Sequence, residues 1–274
     1  MRINAPGALS TGSGTTRAFR TFDRVSASAL GKNQMPAALM TDVWFRKLNR
    51  LAPLNSEDLD ALAALPFTVE QVAAHRYLVK ERETVTRCCL LVDGHAARHK
   101  TSRSGKRQIV SFHMPGDMLD LQHSLLPRAD HNLQTITAAM VAWIPIPELV
   151  QATSRPNIAA AFARDALIDA SIFREWVLNV GARDAKTRIA HMLCEFVQRR
   201  EALGIAPAEA VALPFSQEQI GDATGLTAVH VNRMLRELTE AGAFARTGRS
   251  IRISDWHKLK SIADFDPTYL HQAA

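Results

Sequence analysis

Apolar positions change their spacing along the chain, and each change marks a different kind of element. Over 42–65 they follow a helical period in two segments. Val43, Trp44, Leu48 and Leu51 share one side of a first helix that Pro53 ends, and Ser56 caps a second, with Glu57 and Asp58 in its first turn. From 69 to 146 the pattern shortens to β-prone runs bounded by turn residues. The run 88–92 leads into Asp93-Gly94, 96–100 and 108–112 flank Ser104-Gly105, Pro115-Gly116 makes the next corner, and 136–146 supplies the last strands. Such spacing predicts an antiparallel β-roll or jelly roll. The helical period returns at Pro156 and lasts to Gly181, about 36 Å of helix. Ile158, Phe162, Ile168, Ile172, Phe173, Trp176, Val177 and Val180 spread over an arc of about 180°, and Leu167 and Leu178 lie on the far side. One β-roll does not need that much apolar surface, so the excess predicts a second copy of the same helix, in a homodimer. Residues 184–200 make another amphipathic helix, with Ile189, Leu193, Phe196 and Val197 inward.

The segment 216–238 reads as two short helices about a tight turn. Ser216 is placed to cap the first, with Glu218 in its first turn, where the helix dipole favours an acid. Ile220 anchors it, and the small Gly221 and Ala223 let a second helix approach. Gly225, in Thr224-Gly225-Leu226, accepts the positive φ that ends one helix before Thr227 caps the next. In the second helix Val231, Met234, Leu235 and Leu238 fall on one face. Val229, Arg233 and Arg236 fall opposite, flanked by His230 and Asn232. That is helix-turn-helix geometry, whose second helix fits a DNA major groove. Residues 242–253 read as two strands about a Gly-centred turn, a β-wing carrying Arg246 and Arg249.

Charge changes this picture only locally. The net charge is +6, but Arg2, Arg17, Arg20, Arg24 and Lys32 against Asp23 alone put +4 of it in residues 1–36. The basicity that bears on DNA is the five arginines within 227–252, against Glu237 and Glu240. The leader 1–36, rich in Ser, Thr, Gly and Ala, is expected to be disordered. It reads as a flexible arm or as sequence ahead of a true start at Met35 or Met40, with an organellar transit peptide as the other reading. The three cysteines, Cys88, Cys89 and Cys194, form no disulfide framework. No apolar run approaches the ~20 residues of a membrane span, so a soluble, cytoplasmic chain is expected, without contact with a membrane.

The order of a β-roll containing Pro115-Gly116-Asp117, a long helix, and a winged helix-turn-helix with Asn232-Arg233-Met234-Leu235 resembles the catabolite-activator (Crp/Fnr) family of bacterial transcription regulators, over about 40–270. The resemblance implies an α+β chain: a cyclic-nucleotide-binding-like β-roll over 37–155, a dimerisation helix over 156–181 and a winged helix-turn-helix over 182–274. It also implies double-stranded DNA and RNA polymerase as partners and no catalytic residue. Cyclic-nucleotide binders of the family follow the Gly-Asp corner with Gly-Glu for the ribose and, about ten residues on, an arginine for the phosphate. This chain has Asp120-Leu121 in the first place and His131 near the second, with Arg128 close by. Leu121 cannot accept a ribose hydrogen bond and Asp120 would repel a phosphate, so cyclic AMP is not expected. If the roll takes an effector at all, Asp117, Asp120, Arg128 and His131 are the candidate pocket. Residues 1–87 hold no cysteine, which excludes the family's N-terminal iron–sulfur centre.

Within the recognition helix, Arg233 matches the family arginine that reads guanine, while Val229 stands where glutamate is usual and can only contact a thymine methyl. Thr227, His230 and Gln217 suit phosphate; Asn232, Arg236 and Arg246 complete the expected surface. The dimer interface is expected to use Ile158, Phe162, Asp165, Asp169, Ile172 and Trp176. Asp165 and Asp169, one turn apart in the apolar stripe, either pair with arginines or face their symmetry mates as a charge-strained switch; in the second case replacing both by Asn tightens the dimer. No metal or cofactor is expected. His95 and His99 share a strand face by spacing, yet lack a recognisable ligand pattern, and of the adjacent Cys88 and Cys89 one is expected to pack in the core. Two other readings stand beside the regulator: a cupin-type metalloenzyme, which a metal assay tests, and a β-roll module that controls a protein partner. For DNA, Arg233→Ala is expected to lose preference at one guanine per half-site. Arg249→Ala is expected to weaken binding to all sequences and to flatten its salt dependence, both measurable by titration against matched and mismatched duplexes.

Overall fold

The computed structural model describes residues 37–204, 211–248 and 250–272; the leader 1–36 and Arg249 lie outside them. Two helices, α1 (Ala37–Leu51) and α2 (Ser56–Ala63), precede the strands. The cap of α2 is Asn55 rather than Ser56. Its side chain accepts from the Asp58 N–H, and the Asp58 carboxylate accepts in return from the Asn55 N–H. Strands β1 (Thr68–Val72), β3 (Arg87–Asp93) and β7 (Ala139–Pro145) form one antiparallel sheet in the order β1-β7-β3. The other, in the order β2-β6-β4-β5, is made by β2 (Tyr77–Val79), β4 (Ala96–Thr101), β5 (Arg107–His113) and β6 (Asn132–Thr135).

Alternation along β3 divides the roll's apolar surface in two. Cys89 and Leu91 face a lumen filled by Val79, Leu119, Leu133, Val141 and Trp143. Cys88 and Leu90 face the other way, onto Trp44 and Leu48 of α1, Leu149 of α3 (Ile146–Ala152), and Ile158 and Phe162 of α4 (Pro156–Ala182). Both cysteines are therefore buried, not one, and burial raises both thiols above their ordinary range. A β-bulge between Arg98 and His99 breaks the alternation of β4. His95 consequently lies against Phe196 and His99 against Tyr77, instead of sharing a face.

The long helix α4 is where the structure departs most from the sequence pattern. Ile158, Phe162, Ile172 and Trp176, expected at the dimer interface, are all buried within their own chain. The first pair packs on α1 and the roll; the second joins Ile109 and Phe112 of β5 and the core of the C-terminal half. The exposed apolar residues of α4 are Leu167, Phe173, Val177 and Leu178. Helix α5 (Ala185–Ala202), capped by Asp184, carries Ile189, Leu193 and Phe196 into the same core. Helices α6 (Gln217–Thr224), α7 (Ala228–Glu240) and α8 (Trp256–Ala263) follow, with a three-stranded sheet in the order β8 (Val211–Ala212), β10 (Ser250–Ile253), β9 (Phe244–Thr247). The ring of Phe112 lies 4.1 Å from that of Phe215 and 5.7 Å from that of Trp176, so roll, long helix and C-terminal helices share one continuous core.

Asp165 and Asp169 each have a partner within the chain. Lys47 Nζ lies 2.8 Å from Asp165 Oδ1, and Arg98 Nη1 lies 2.8 Å from Asp169 Oδ2. The pair is not left as a charge-strained cluster, which removes the basis for tightening by charge removal. The double variant Asp165→Asn/Asp169→Asn is expected to lose about 1–2 kcal/mol of stability, chiefly at the better-shielded Asp165. Thermal unfolding together with sedimentation checks this, the expected outcome being a lower Tm and no gain in dimer.

Candidate nucleic-acid interface

The C-terminal surface is built from backbone contacts outward. Ser216 caps α6 reciprocally: its hydroxyl accepts from the Gln219 N–H, and the Gln219 side-chain oxygen accepts from the Ser216 N–H. Gly225 ends α6 at φ 73°. A Cβ on Gly221 would lie 2.4 Å from the Leu226 carbonyl oxygen, so the turn before α7 rests directly on the α6 backbone. Thr227 then caps α7, its hydroxyl accepting from the His230 N–H at 3.3 Å. Val231, Met234, Leu235 and Leu238 bury one face of α7. The other presents Val229, 83% exposed, with Asn232, Arg233 and Arg236 exposed beside it. Thr227 is exposed, and Gln217 and His230 are half-buried at the margin. Thus all these predicted residues, Gln217 at the head of α6 included, belong to one helix-turn-helix unit, which can lay α7 in a groove with cations facing phosphate and bases.

The wing is present as β9 and β10, and β8 adds a third strand that the sequence pattern did not reveal, since it is only two residues long. Arg246 is exposed. Its Nε donates to the Gly248 carbonyl at 3.1 Å and its Nη1 to Asn232 Oδ1 at 3.4 Å, a tie between wing and recognition helix that sequence reading missed. The whole unit sits on the roll: Arg107 of β5 reaches Asp222 of α6 at 2.6 Å, and Gln108 donates to the Ala223 carbonyl at 3.0 Å.

The candidate effector residues are not gathered into one pocket. Asp117 is occupied by Lys47, Arg199 and the Met114 N–H at 2.9, 2.8 and 3.0 Å. Burial opposes its charge, but the Lys47 and Arg199 cations overcome this and hold its carboxyl well below the usual range. Arg128 lies out on the surface, bonded to the Arg82 carbonyl. His131 is buried, its ring stacked on that of His123 and bonded to Asp130 at 2.7 Å, and burial pushes it down to about 4. Between roll, α1, α4 and α5 there is an open cleft of about 1170 Å³, lined among others by Arg98, Lys100, His131, Asp165, Asp169 and Arg199. Arg98 crosses its rim from β4 to Asp169, also donating to the Leu119 carbonyl at 2.6 Å. Neither the apolar or polar pattern of β4 nor any motif singled out Arg98. Among the described residues no group of three or more His, Cys, Asp or Glu is placed to hold a metal ion.

Two family models match the chain: a cyclic nucleotide-binding domain over residues 69–155 and a Crp-like helix-turn-helix domain over 187–262. Among curated relatives, an anaerobic regulatory protein of Haemophilus influenzae is 24% identical over 216 residues, 78% of this chain and 84% of that protein. The nitrogen fixation regulation protein FixK of Bradyrhizobium diazoefficiens is 28% identical over 188 residues, covering 67% and 76% respectively. The solved structure of FixK2 from Bradyrhizobium japonicum superposes with a TM-score of 0.67 at 26% identity, over 72% of this chain and 98% of that one.

Asp120 is the remaining candidate, and it is sealed in. Its Oδ1 accepts from the Cys89 N–H at 2.7 Å, while Oδ2 has no partner among the described residues. Burial pushes its carboxyl up to about 7. A carboxyl whose folded-state pKa is raised favours folding most below its unfolded pKa and loses that contribution as pH rises through the folded value. Compared with Asp120→Asn, the parent chain is therefore expected to lose about 2–4 kcal/mol of relative stability between pH 4 and pH 7. Denaturant unfolding of both proteins across that range checks the slope; parallel curves would mean that Asp120 titrates normally.

Proposed function

Because the chain belongs to the Crp/Fnr family of DNA-binding transcription regulators, we propose that it acts as a homodimer on an inverted-repeat DNA site and exerts its effect by binding rather than by catalysis. The observation that carries the DNA-reading part is α7, whose exposed face collects Val229, Asn232, Arg233 and Arg236 beside Arg246 of the wing. In this reading Arg233 reads a guanine, Val229 meets a thymine methyl, and Gln217, Thr227, His230 and Arg249 hold phosphate. Half-sites then lie about 34 Å apart, one helical turn, because the symmetry of the dimer is copied onto its site.

The dimer is supported by a different face of α4 from the one the sequence suggested. Ala163, Ala166, Ala170, Phe173, Val177 and Val180 recur at alternating intervals of three and four, and all but the half-buried Val180 are exposed. That is the a/d spacing of a two-stranded coiled coil. Alanines in the first half let two backbones approach closely, and Leu167 and Leu178, 67% and 47% exposed, flank the seam. Working from this, 37–155 is the sensor, 156–181 the dimer helix and 182–274 the DNA-binding part.

The roll in this proposal is not a cyclic-nucleotide receptor: Asp117 is committed to two cations and Asp120 is sealed from the cleft. An effector, if the protein has one, enters the cleft beside Arg98. RNA polymerase is the expected partner on DNA. Among the described residues no helix is long and apolar enough to cross a membrane, which is compatible with action in the cytoplasm. Selection of bound sequences from a random duplex pool tests the function as a whole, and failure to enrich any sequence overturns it. The interface has its own test: Phe173→Glu/Val177→Glu places charges at exposed positions, so each chain keeps its fold while the dimer dissociates. Sedimentation is expected to show monomer, and affinity for the inverted repeat is expected to fall by at least about 100-fold. An unchanged dimer would place the interface elsewhere.

A further inference from the structure

The contact between Arg246 and Asn232 carries a consequence for which bases this surface can read, and that consequence rests on the DNA-binding function above. A carboxamide has one acceptor oxygen and two donor hydrogens. An unconstrained asparagine on a recognition helix uses both ends on adenine, accepting from N6 and donating to N7. Here the oxygen is already engaged, because Arg246 Nη1 donates to Asn232 Oδ1 at 3.4 Å. The guanidinium is itself anchored, its Nε donating to the Gly248 carbonyl at 3.1 Å in the turn between β9 and β10. Both side chains are exposed, so neither contact is needed to fill the core.

We propose that Asn232 is a specificity-determining residue whose amide is held by Arg246 so that it offers only N–H donors, and that it reads an acceptor edge, guanine O6/N7 or thymine O4, at the base pair next to the guanine read by Arg233. Adenine is disfavoured there, since its N6 amino group would face a donor with the amide oxygen turned away. Arg246 is a positioning residue in this scheme. It touches the base-reading side chain rather than the base, and its remaining N–H groups are free for phosphate. Wing and recognition helix thereby act as one reading unit.

The test uses the full chain and selection from a random duplex pool, with four proteins: the parent, Asn232→Ala, Arg246→Ala and Arg246→Lys. Arg233→Ala locates the reference guanine. The parent is expected to enrich guanine or thymine over adenine at the neighbouring base pair, and the selected base distinguishes the two. Asn232→Ala is expected to lose that preference alone and to bind the parent's best site roughly 5-fold more weakly. Arg246→Ala releases the oxygen, so adenine is expected to rise roughly tenfold against the parent's base at that position. Arg246→Lys, which still donates, is expected to retain the parent's preference. Two results overturn the proposal: adenine already preferred by the parent, or an Arg246→Ala protein that weakens on every sequence with its base preference unchanged, which makes Arg246 a phosphate contact only. A parent that enriches no sequence overturns the DNA-binding reading and this inference with it. Enriched inverted repeats without these shifts overturn this inference alone.

Discussion

The carboxylate of Asp117 is the point on which the arrangement of the parts depends. It sits at the corner made by Pro115-Gly116, whose glycine adopts φ 89° and leaves no room for a Cβ, which would meet Val43 of α1 at 2.8 Å. From there it binds Lys47 of α1 and Arg199 of α5, and Arg199 also donates to the Phe112 carbonyl of β5 at 2.9 Å. Lys47 continues to Asp165 of α4. One buried anion therefore joins the first helix, the roll, the long helix and the helix that leads to the recognition unit. Burying it costs several kcal/mol unless its partners are in place, so these elements keep their positions together or not at all.

The Arg199 end of this chain leads into a second polar junction. Glu195 accepts from Trp176 Nε1 at 3.0 Å and from the Tyr269 hydroxyl at 2.9 Å, and it lies 3.4 Å from Arg199. Burial raises the Glu195 carboxyl, and three donors compensate it. The apolar core makes the same connection in other terms, with Phe112, Trp176, Phe196 and Phe215 in mutual ring contact. Polar bonds here give direction to a core that by itself would tolerate sliding. The orientation of α6 and α7 relative to the roll follows from both.

Helix α4 shows how one element serves several surfaces. Its first half covers the roll, its Asp165 and Asp169 reach cations on α1 and β4, and its second half enters the C-terminal core. What is left over is a narrow seam of small and apolar residues. Arg98 spans the space between β4 and this helix, so a side chain of the protein already bridges roll and helix at the rim of the cleft. The candidate effector residues are thus divided among tasks of cohesion, burial and surface contact.

Much of this was legible in the order of residues. Ser216, Gly225 and Thr227 act within a few residues of themselves, as caps and a turn, and local rules predict such features well. The inward face of α7 follows from period alone, and so does the outward placement of Val229, Arg233 and Arg236. The roll and its corner were likewise readable from β-prone runs and turn residues. What the tertiary structure decided is which of two apolar faces a helix covers itself. Period shows that α4 is apolar over a wide arc, but only the positions of α1, β5 and α5 determine that Ile158, Phe162, Ile172 and Trp176 are spent internally while Phe173 and Val177 stay free. The same holds for charge: Asp117 meets Lys47 and Arg199, 70 and 82 positions away in the chain, and Arg246 meets Asn232 across a strand turn. A sequence states which groups need partners, because burial and charge are properties of residues. Which partner each one finds is a property of distance in space, and that exists only once the chain has folded.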